Sequence, residues 1–119
     1  MLKGRFDESS GRPLIVATVV FPRLSIAREV TFLVDTGADN CLIMPTDAAN
    51  LDINYDNLSG RIASLGLGGV IETFYEPSLL VFKAEKSRYI YRVAMAIHPP
   101  SAEIANLPSL LGREILDRW

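Results

Sequence analysis

The feature that most restricts the fold of this chain is the grouping of its apolar residues into short runs. These runs are rich in β-branched and aromatic residues, and they read PLIVATVVF from Pro13, EVTFLVD ending at Asp35, CLIM, SLLVF and YIYRVAMAI. Turn-forming sequences separate them, namely ESSGRP, FPRLS, LGLGG and HPPS. Such runs are typical of strands. We therefore predict a mostly β chain that forms a closed or sandwich-like structure.

Two segments differ from this pattern. The C-terminal sequence SLLGREILDRW places Leu111, Ile115 and Leu116 near helical spacing, with Ser109 as the candidate cap. Residues 48–58 are polar and rich in Asn and Asp, which predicts a loop. The chain has 119 residues, the size of one ordinary domain. We predict a single domain over residues 1–119 with one short C-terminal helix.

The composition argues against several classes of function. The net charge of −2 and the lack of a basic run with interleaved aromatics argue against binding to nucleic acid or an anionic membrane. The longest apolar stretch, residues 14–21, is too short to cross a bilayer, and the polar N-terminus is unlike a signal peptide. These features predict a soluble, cytoplasmic protein. A single cysteine and a single histidine argue against structural zinc, and we expect no metal or other cofactor.

An aspartate follows directly after an apolar strand in the sequence FLVDTGAD. A carboxylate in such a place costs several kcal/mol unless something compensates it. Asp35 could simply accept backbone hydrogen bonds in an Asx-type turn. Gly37 permits a tight turn that presents Asp35 to whatever faces the end of the strand. The apolar sequence before Asp35 favours a functional role, since an aspartate that only shapes a turn need not follow an apolar strand.

Two further stretches carry possible function. Residues 62–74 surround the glycine-rich sequence GLGG, which predicts a β-hairpin whose tip could move as a lid. A plain hairpin is the alternative, and a phosphate-binding loop is excluded because neither a helix start nor a lysine follows. Near the C-terminus, Arg113 comes directly after apolar residues and Gly112. A semi-buried guanidinium in that position needs a carboxylate partner.

Together these residues resemble a known family. Asp-Thr-Gly-Ala after an apolar strand, a GLGG hairpin and LLGR before a terminal helix occur in the order found in the retropepsins. These are the dimeric aspartic proteases of retroviruses and their cellular and bacterial relatives. GRPLIVATV is similar to the early strand of the family, and the resemblance covers residues 12–116. It implies a retropepsin-like closed β-barrel, equivalent to half of a pepsin-type acid protease, with a flap hairpin.

The resemblance also implies a role for individual residues. Asp35 would be the catalytic acid and base, Thr36 would bond to its twin across the dimer axis, and Gly37 would leave room for the substrate backbone. Arg113 would pair with Asp39, and Arg12 of the partner subunit would join them. The implied substrate-binding positions, which include the flap and the apolar pockets, are Leu33, Ala38, Asp39, Asn40, Gly66, Leu67, Gly68, Gly69, Val70, Ile71 and Leu110.

The number of catalytic motifs bears on the assembly. Only one Asp-Thr-Gly is present, so a two-fold homodimer would supply the second aspartate. The resemblance then implies an aspartic endopeptidase that hydrolyses extended polypeptides with a water activated by two copies of Asp35. Viral members continue past the terminal helix into an interface strand, whereas six residues follow Arg113 here. The alternative is therefore a catalytically inactive dimerisation or peptide-binding module on the same fold.

Overall fold

The strands of the protein form one sheet that closes on itself. The computed structural model describes residues 5–6, 13–66, 69–100 and 107–118. The strands are β1 (Arg5–Phe6), β2 (Pro13–Phe21), β3 (Ile26–Val34), β4 (Leu42–Ile43), β5 (Gly60–Gly66), β6 (Gly69–Lys83), β7 (Arg88–Ile97) and β8 (Ser109–Leu111). The described residues also form two short helices, α1 (Pro45–Asn50) and α2 (Arg113–Leu116), and two 3₁₀ turns, Pro22–Leu24 and Tyr55–Asn57.

Six of the strands close into a barrel. They follow one another in the order β2, β3, β8, β4, β7 and β6, and pairing between β2 and β6 closes the ring. The pairs β3–β8 and β4–β7 are parallel, and the other pairs in the ring are antiparallel. β1 and β5 lie outside the ring, paired with β2 and β6. The mostly β, closed barrel predicted from the sequence is confirmed.

The core fills the inside of this barrel. Along β2 the buried side chains alternate with more exposed ones, as expected for a strand with one face inward. Phe21, Phe32 and Phe82 are fully buried, and each side chain of this size contributes about 1.5–3 kcal/mol by leaving water. The inward residues of β2 are Ile15, Ala17, Val19 and Phe21. The run is apolar on both sides of the strand, and the barrel takes every second residue into its core.

The loop predicted for residues 48–58 is wrong in part. Helix α1 ends within it, and the 3₁₀ turn Tyr55–Asn57 occupies most of the remainder. Pro45 stands at the first turn of α1, where its fixed φ suits a helix and its missing N–H costs nothing. Ala48 and Leu51, three positions apart, are buried and attach this segment to the core. Because the segment is polar overall, its composition did not indicate that these two residues are buried.

The C-terminal helix is present, but it begins later than predicted. Ser109 lies in β8 and does not cap the helix, because β8 pairs with β3 and the Ser109 hydroxyl donates to Asp47 Oδ2 at 2.5 Å. Gly112 stands at the N-cap, and α2 is a single turn of four residues. Among the described residues, no helix is long and apolar enough to span a membrane.

Candidate active site

Asp35 lies immediately after β3, in a turn that rests against β8. Its backbone N–H donates to the Leu111 carbonyl at 3.0 Å, and its own carbonyl accepts from the Ala38 N–H at 3.1 Å. One carboxylate oxygen, Oδ1, accepts from the Gly37 N–H at 2.9 Å. The side chain is half-buried, so it keeps contact with solvent. The strand thus carries the carboxylate to the barrel rim, where the turn compensates part of its desolvation.

Space explains the glycine of this turn. A Cβ atom on Gly37 would lie 3.2 Å from Asp35 Oδ1, closer than ordinary contact. A side chain there would press on the oxygen that the Gly37 N–H binds. Thr36, between them, is exposed. With glycine at position 37, no side chain at that position crowds the Asp35 carboxylate.

Helix α2 holds the loop that follows the turn. The Arg113 N–H donates to the Ala38 carbonyl at 2.8 Å, and the Glu114 N–H donates to the Asp39 carbonyl at 3.0 Å. In return, Glu114 Oε1 accepts from the Cys41 N–H at 2.6 Å. The first N–H groups of a helix have no partner within it, so the loop carbonyls satisfy them. Residues 38–41 are thereby fixed to α2 by three hydrogen bonds.

The close approach of α2 to the loop depends on Gly112. A Cβ atom on Gly112 would lie 2.8 Å from the Ala38 carbonyl oxygen and nearer still to backbone atoms of Asn40. Those atoms belong to the main chain and cannot rotate away. Only glycine fits at this position.

The ion pair between Arg113 and Asp39 lies on the surface, where α2 meets the loop of residues 38–41. Arg113 Nη2 donates to Asp39 Oδ1, and the two side chains are 55% and 74% exposed. The expectation that Arg113 is semi-buried is therefore wrong. An exposed pair contributes about 0–1 kcal/mol, less than the backbone bonds of α2 can supply together. The pair orients Asp39, while the main chain docks the loop.

The glycine-rich segment forms the predicted hairpin. β5 and β6 pair from Gly60 opposite Tyr75 to Gly66 opposite Gly69. Gly69 has a φ of 111°, a left-handed value that favours glycine. Near the tip, Val70 is 68% exposed. The hairpin projects beyond the six-stranded ring and carries an uncovered apolar side chain.

The remaining predicted positions are distributed as follows. Leu33 is buried beside the half-buried Leu110, opposite it in the β3–β8 pair. Ala38 is half-buried, while Asn40 is exposed like Asp39. Ile71 lies in β6, with its side chain outside the described part. The positions that lie entirely outside the described residues are Arg12, Leu67 and Gly68.

Two residues of the loop support were not recognised in the sequence. Glu114 binds the loop backbone, and its only signal was an acidic residue in the first turn of a helix. The packing role of Gly112 also required the structure. Cys41, the last residue of the loop, is buried, and burial raises the pKa of its thiol to about 12. A thiol that stays protonated packs as an apolar group.

Comparisons with known proteins agree on one family. The family model described as Aspartyl protease matches residues 23–114. Among solved structures, a retropepsin-like aspartic protease from Rickettsia conorii is 18% identical with a TM-score of 0.57, covering 100% of this chain and 90% of that one. EIAV protease, complexed with the inhibitor HBY-793, is 20% identical with a TM-score of 0.51, covering 96% and 93%. A search of curated proteins gives no match. The barrel thus has the retropepsin-like fold, and the chain belongs to the aspartyl protease family.

Proposed function

We propose that the protein is an aspartic endopeptidase whose active site forms between two copies of the chain, each contributing Asp35. The observation that carries this proposal is the single Asp-Thr-Gly turn, held at the barrel rim with its carboxylate half-buried. A two-fold axis beside Asp35 would place two carboxylates around one water. Thr36, exposed in the same turn, would bond to its twin across that axis.

The chemistry follows from placing two carboxylates side by side. Both cannot easily carry a negative charge at close range, so the pair holds one proton. The ionised carboxylate takes a proton from the water, whose oxygen adds to the scissile carbonyl. The protonated carboxylate donates to the carbonyl oxygen. The C–N bond of the tetrahedral intermediate then breaks, and the amine leaves with a proton.

The substrate would be a polypeptide in extended conformation. The hairpin of β5 and β6 would act as a flap that adds the peptide as a further strand. The exposed Val70 near its tip is available for apolar contact with the peptide. Arg113 would keep Asp39 oriented towards the substrate, with Arg12 of the partner subunit joining the pair. The other residues proposed to contact substrate are Leu33, Ala38, Asn40, Gly66, Leu67, Gly68, Gly69, Ile71 and Leu110.

Substitution of the aspartate tests the chemistry. Asp35→Asn keeps the size of the side chain but removes the acid and base, so peptide cleavage falls by about a thousandfold or more. Asp56→Asn, at an exposed position in the 3₁₀ turn, is the matched control and retains activity. Thermal unfolding verifies that both variants are folded. Cleavage that persists in Asp35→Asn, or that a pepstatin-type transition-state mimic does not inhibit, would contradict the proposal.

Mixing the two proteins tests the shared site. If each site needs Asp35 from both chains, then added Asp35→Asn protein captures wild-type subunits and lowers the total activity of a fixed amount of wild type. Sedimentation in the same buffer shows whether dimers form. Activity that is unchanged by the variant while mixed dimers are present would exclude a site of this kind. A dimer without activity would instead favour a peptide-binding module.

A further inference from the structure

Strand β6 belongs to two parts of the molecule and changes its neighbour between them. Up to Tyr75 it pairs with β5 in the hairpin, and from Leu79 it pairs with β2 in the barrel. Across residues 76–78, which we call the joint, the described pairings of β6 are with β7 alone. Pro77 lies in the joint, where its missing N–H breaks no bond to β2 or β5. The end of β2 and the start of β5 thus lie on either side of the joint along β6.

The side chain of Glu76 fills this joint and is fully buried. Arg23 binds it at two points, Nε to Oε2 and Nη2 to Oε1, each at 2.9 Å. The Ser59 N–H donates to Oε1 at 2.8 Å. Arg23 belongs to the turn after β2, and Ser59 immediately precedes β5. Arg23 Nη2 also donates to the Asn57 carbonyl at 2.5 Å. Glu76, itself in β6, is thus bound to the turn after β2 through Arg23 and to the start of β5 through Ser59.

These contacts make the ionised form of Glu76 the stable one. Burial by itself raises the pKa of this carboxyl, but the hydrogen bonds from Arg23 and Ser59 lower it below the usual value. A two-point bond between guanidinium and carboxylate also fixes the relative orientation of the two groups. If the Arg23 side chain were removed, a buried charge would keep only the donors of Ser59. The joint would then have to admit water or shift.

A shift at the joint is enlarged at the hairpin tip. β5 has seven residues, so the tip lies roughly 23 Å from the joint. A rotation of about 5° at the base therefore moves the tip by roughly 2 Å. A displacement of that size is enough to lose contact with a bound peptide.

We propose that Glu76 is a positioning residue for the hairpin, which it holds through Arg23 and Ser59 in the orientation needed to close over Asp35. Glu76 acts on substrate retention and takes no part in the chemical step. The role of the hairpin as a flap rests on the proposed function, whereas its attachment through Glu76 does not.

Amide hydrogen exchange in the substrate-free protein tests the attachment directly. In Arg23→Met, the exchange rate of the hydrogen-bonded amides in β5 and in residues 69–75 rises about tenfold, while the rate in β3 is unchanged. A tenfold rise is the effect expected from losing a charge-assisted hydrogen bond. Arg28→Met is the matched control, since Arg28 bonds to the Asn50 carbonyl and to the exposed Asp52, away from the hairpin. Arg23→Lys keeps the charge without the two-point geometry and gives a smaller rise of the same pattern. Unchanged hairpin exchange, or an equal rise throughout the barrel, would overturn the proposal.

Kinetics provide the second readout. In the active dimer, Arg23→Met raises KM for a peptide about tenfold and changes kcat by less than about twofold. The reason is that a flap contacts the bound substrate and the transition state equally, so loosening it weakens binding of both by the same amount. Arg23→Lys restores part of the KM. A fall in kcat with unchanged KM would refute the positioning role. If the wild type cleaves no peptide, the proposed function fails, and the exchange experiment still decides whether Glu76 holds the hairpin.

Discussion

At the residue scale, the loop that carries Asp35 depends on a glycine without chemistry of its own. Gly112→Ala would push a methyl group into the backbone of residues 38–40, so we expect a loss of about 1–3 kcal/mol in the free energy of unfolding, together with loss of activity. Gly60→Ala is the control, because its Cβ atom would lie 3.6 Å from Tyr75 Cβ, an ordinary contact. Denaturant unfolding measures both. Equal stability of the two variants would show that the loop can move away from α2.

The residues of the site differ in how far the sequence could predict them. Asp35 and Arg113 could be singled out because each places a charge beside apolar residues, which demands an explanation. The roles of Gly112 and Glu114 depend on contacts with a loop more than 70 positions away in the chain, for which no local pattern exists. The role of Glu76 is equally hard to predict from the sequence, since its partners Arg23 and Ser59 lie in other parts of the chain. Local patterns predict individual residues, while long-range contacts need the fold.

At the scale of elements, a buried serine connects β8 to α1. Ser109 Oγ accepts from the Met44 N–H at 2.9 Å and donates to Asp47. Ser109→Ala leaves a buried N–H without its partner, so we expect the free energy of unfolding to fall by about 1–3 kcal/mol. Ser87→Ala, at an exposed position between β6 and β7, should change it by less than about 0.5 kcal/mol. A Ser109→Ala variant as stable as Ser87→Ala would show that another group replaces the hydroxyl.

The elements also differ in how well the sequence predicted them. The run PLIVATVVF coincides with β2, because its inward residues alternate over nine positions. β8 has three residues and α2 has four. Each element is therefore little longer than one repeat of its own hydrophobic pattern, which is too short for the pattern to identify it. Their boundaries are set by tertiary pairing with β3 and with residues 38–41. The sequence therefore predicts the barrel better than it predicts the pieces that support the site.

At the scale of the whole molecule, the proposed enzyme combines a closed barrel with a projecting hairpin. The barrel fixes Asp35 through β3, β8 and α2, which are bonded to one another around its turn. The hairpin is attached to it through β7 and through the joint at Glu76. A peptidase that holds one proton between two carboxylates works best in acid, where other carboxylates begin to lose their charge. In the proposed enzyme the joint would therefore have to withstand acid for the hairpin to remain in place.

The lowered pKa of Glu76 predicts how stability depends on pH. A carboxyl whose folded pKa lies below its unfolded value of about 4.5 stabilises the protein above that value, and the contribution disappears as pH falls through the folded pKa. The free energy of unfolding should therefore be higher for the wild type than for Glu76→Gln. The difference should be largest above about pH 5 and should shrink towards pH 3. Glu72→Gln, at an exposed position of the same strand, should follow the wild type throughout. Denaturant unfolding at several pH values measures the three curves. A constant difference between wild type and Glu76→Gln would mean that packing, and not the charge of Glu76, holds the joint.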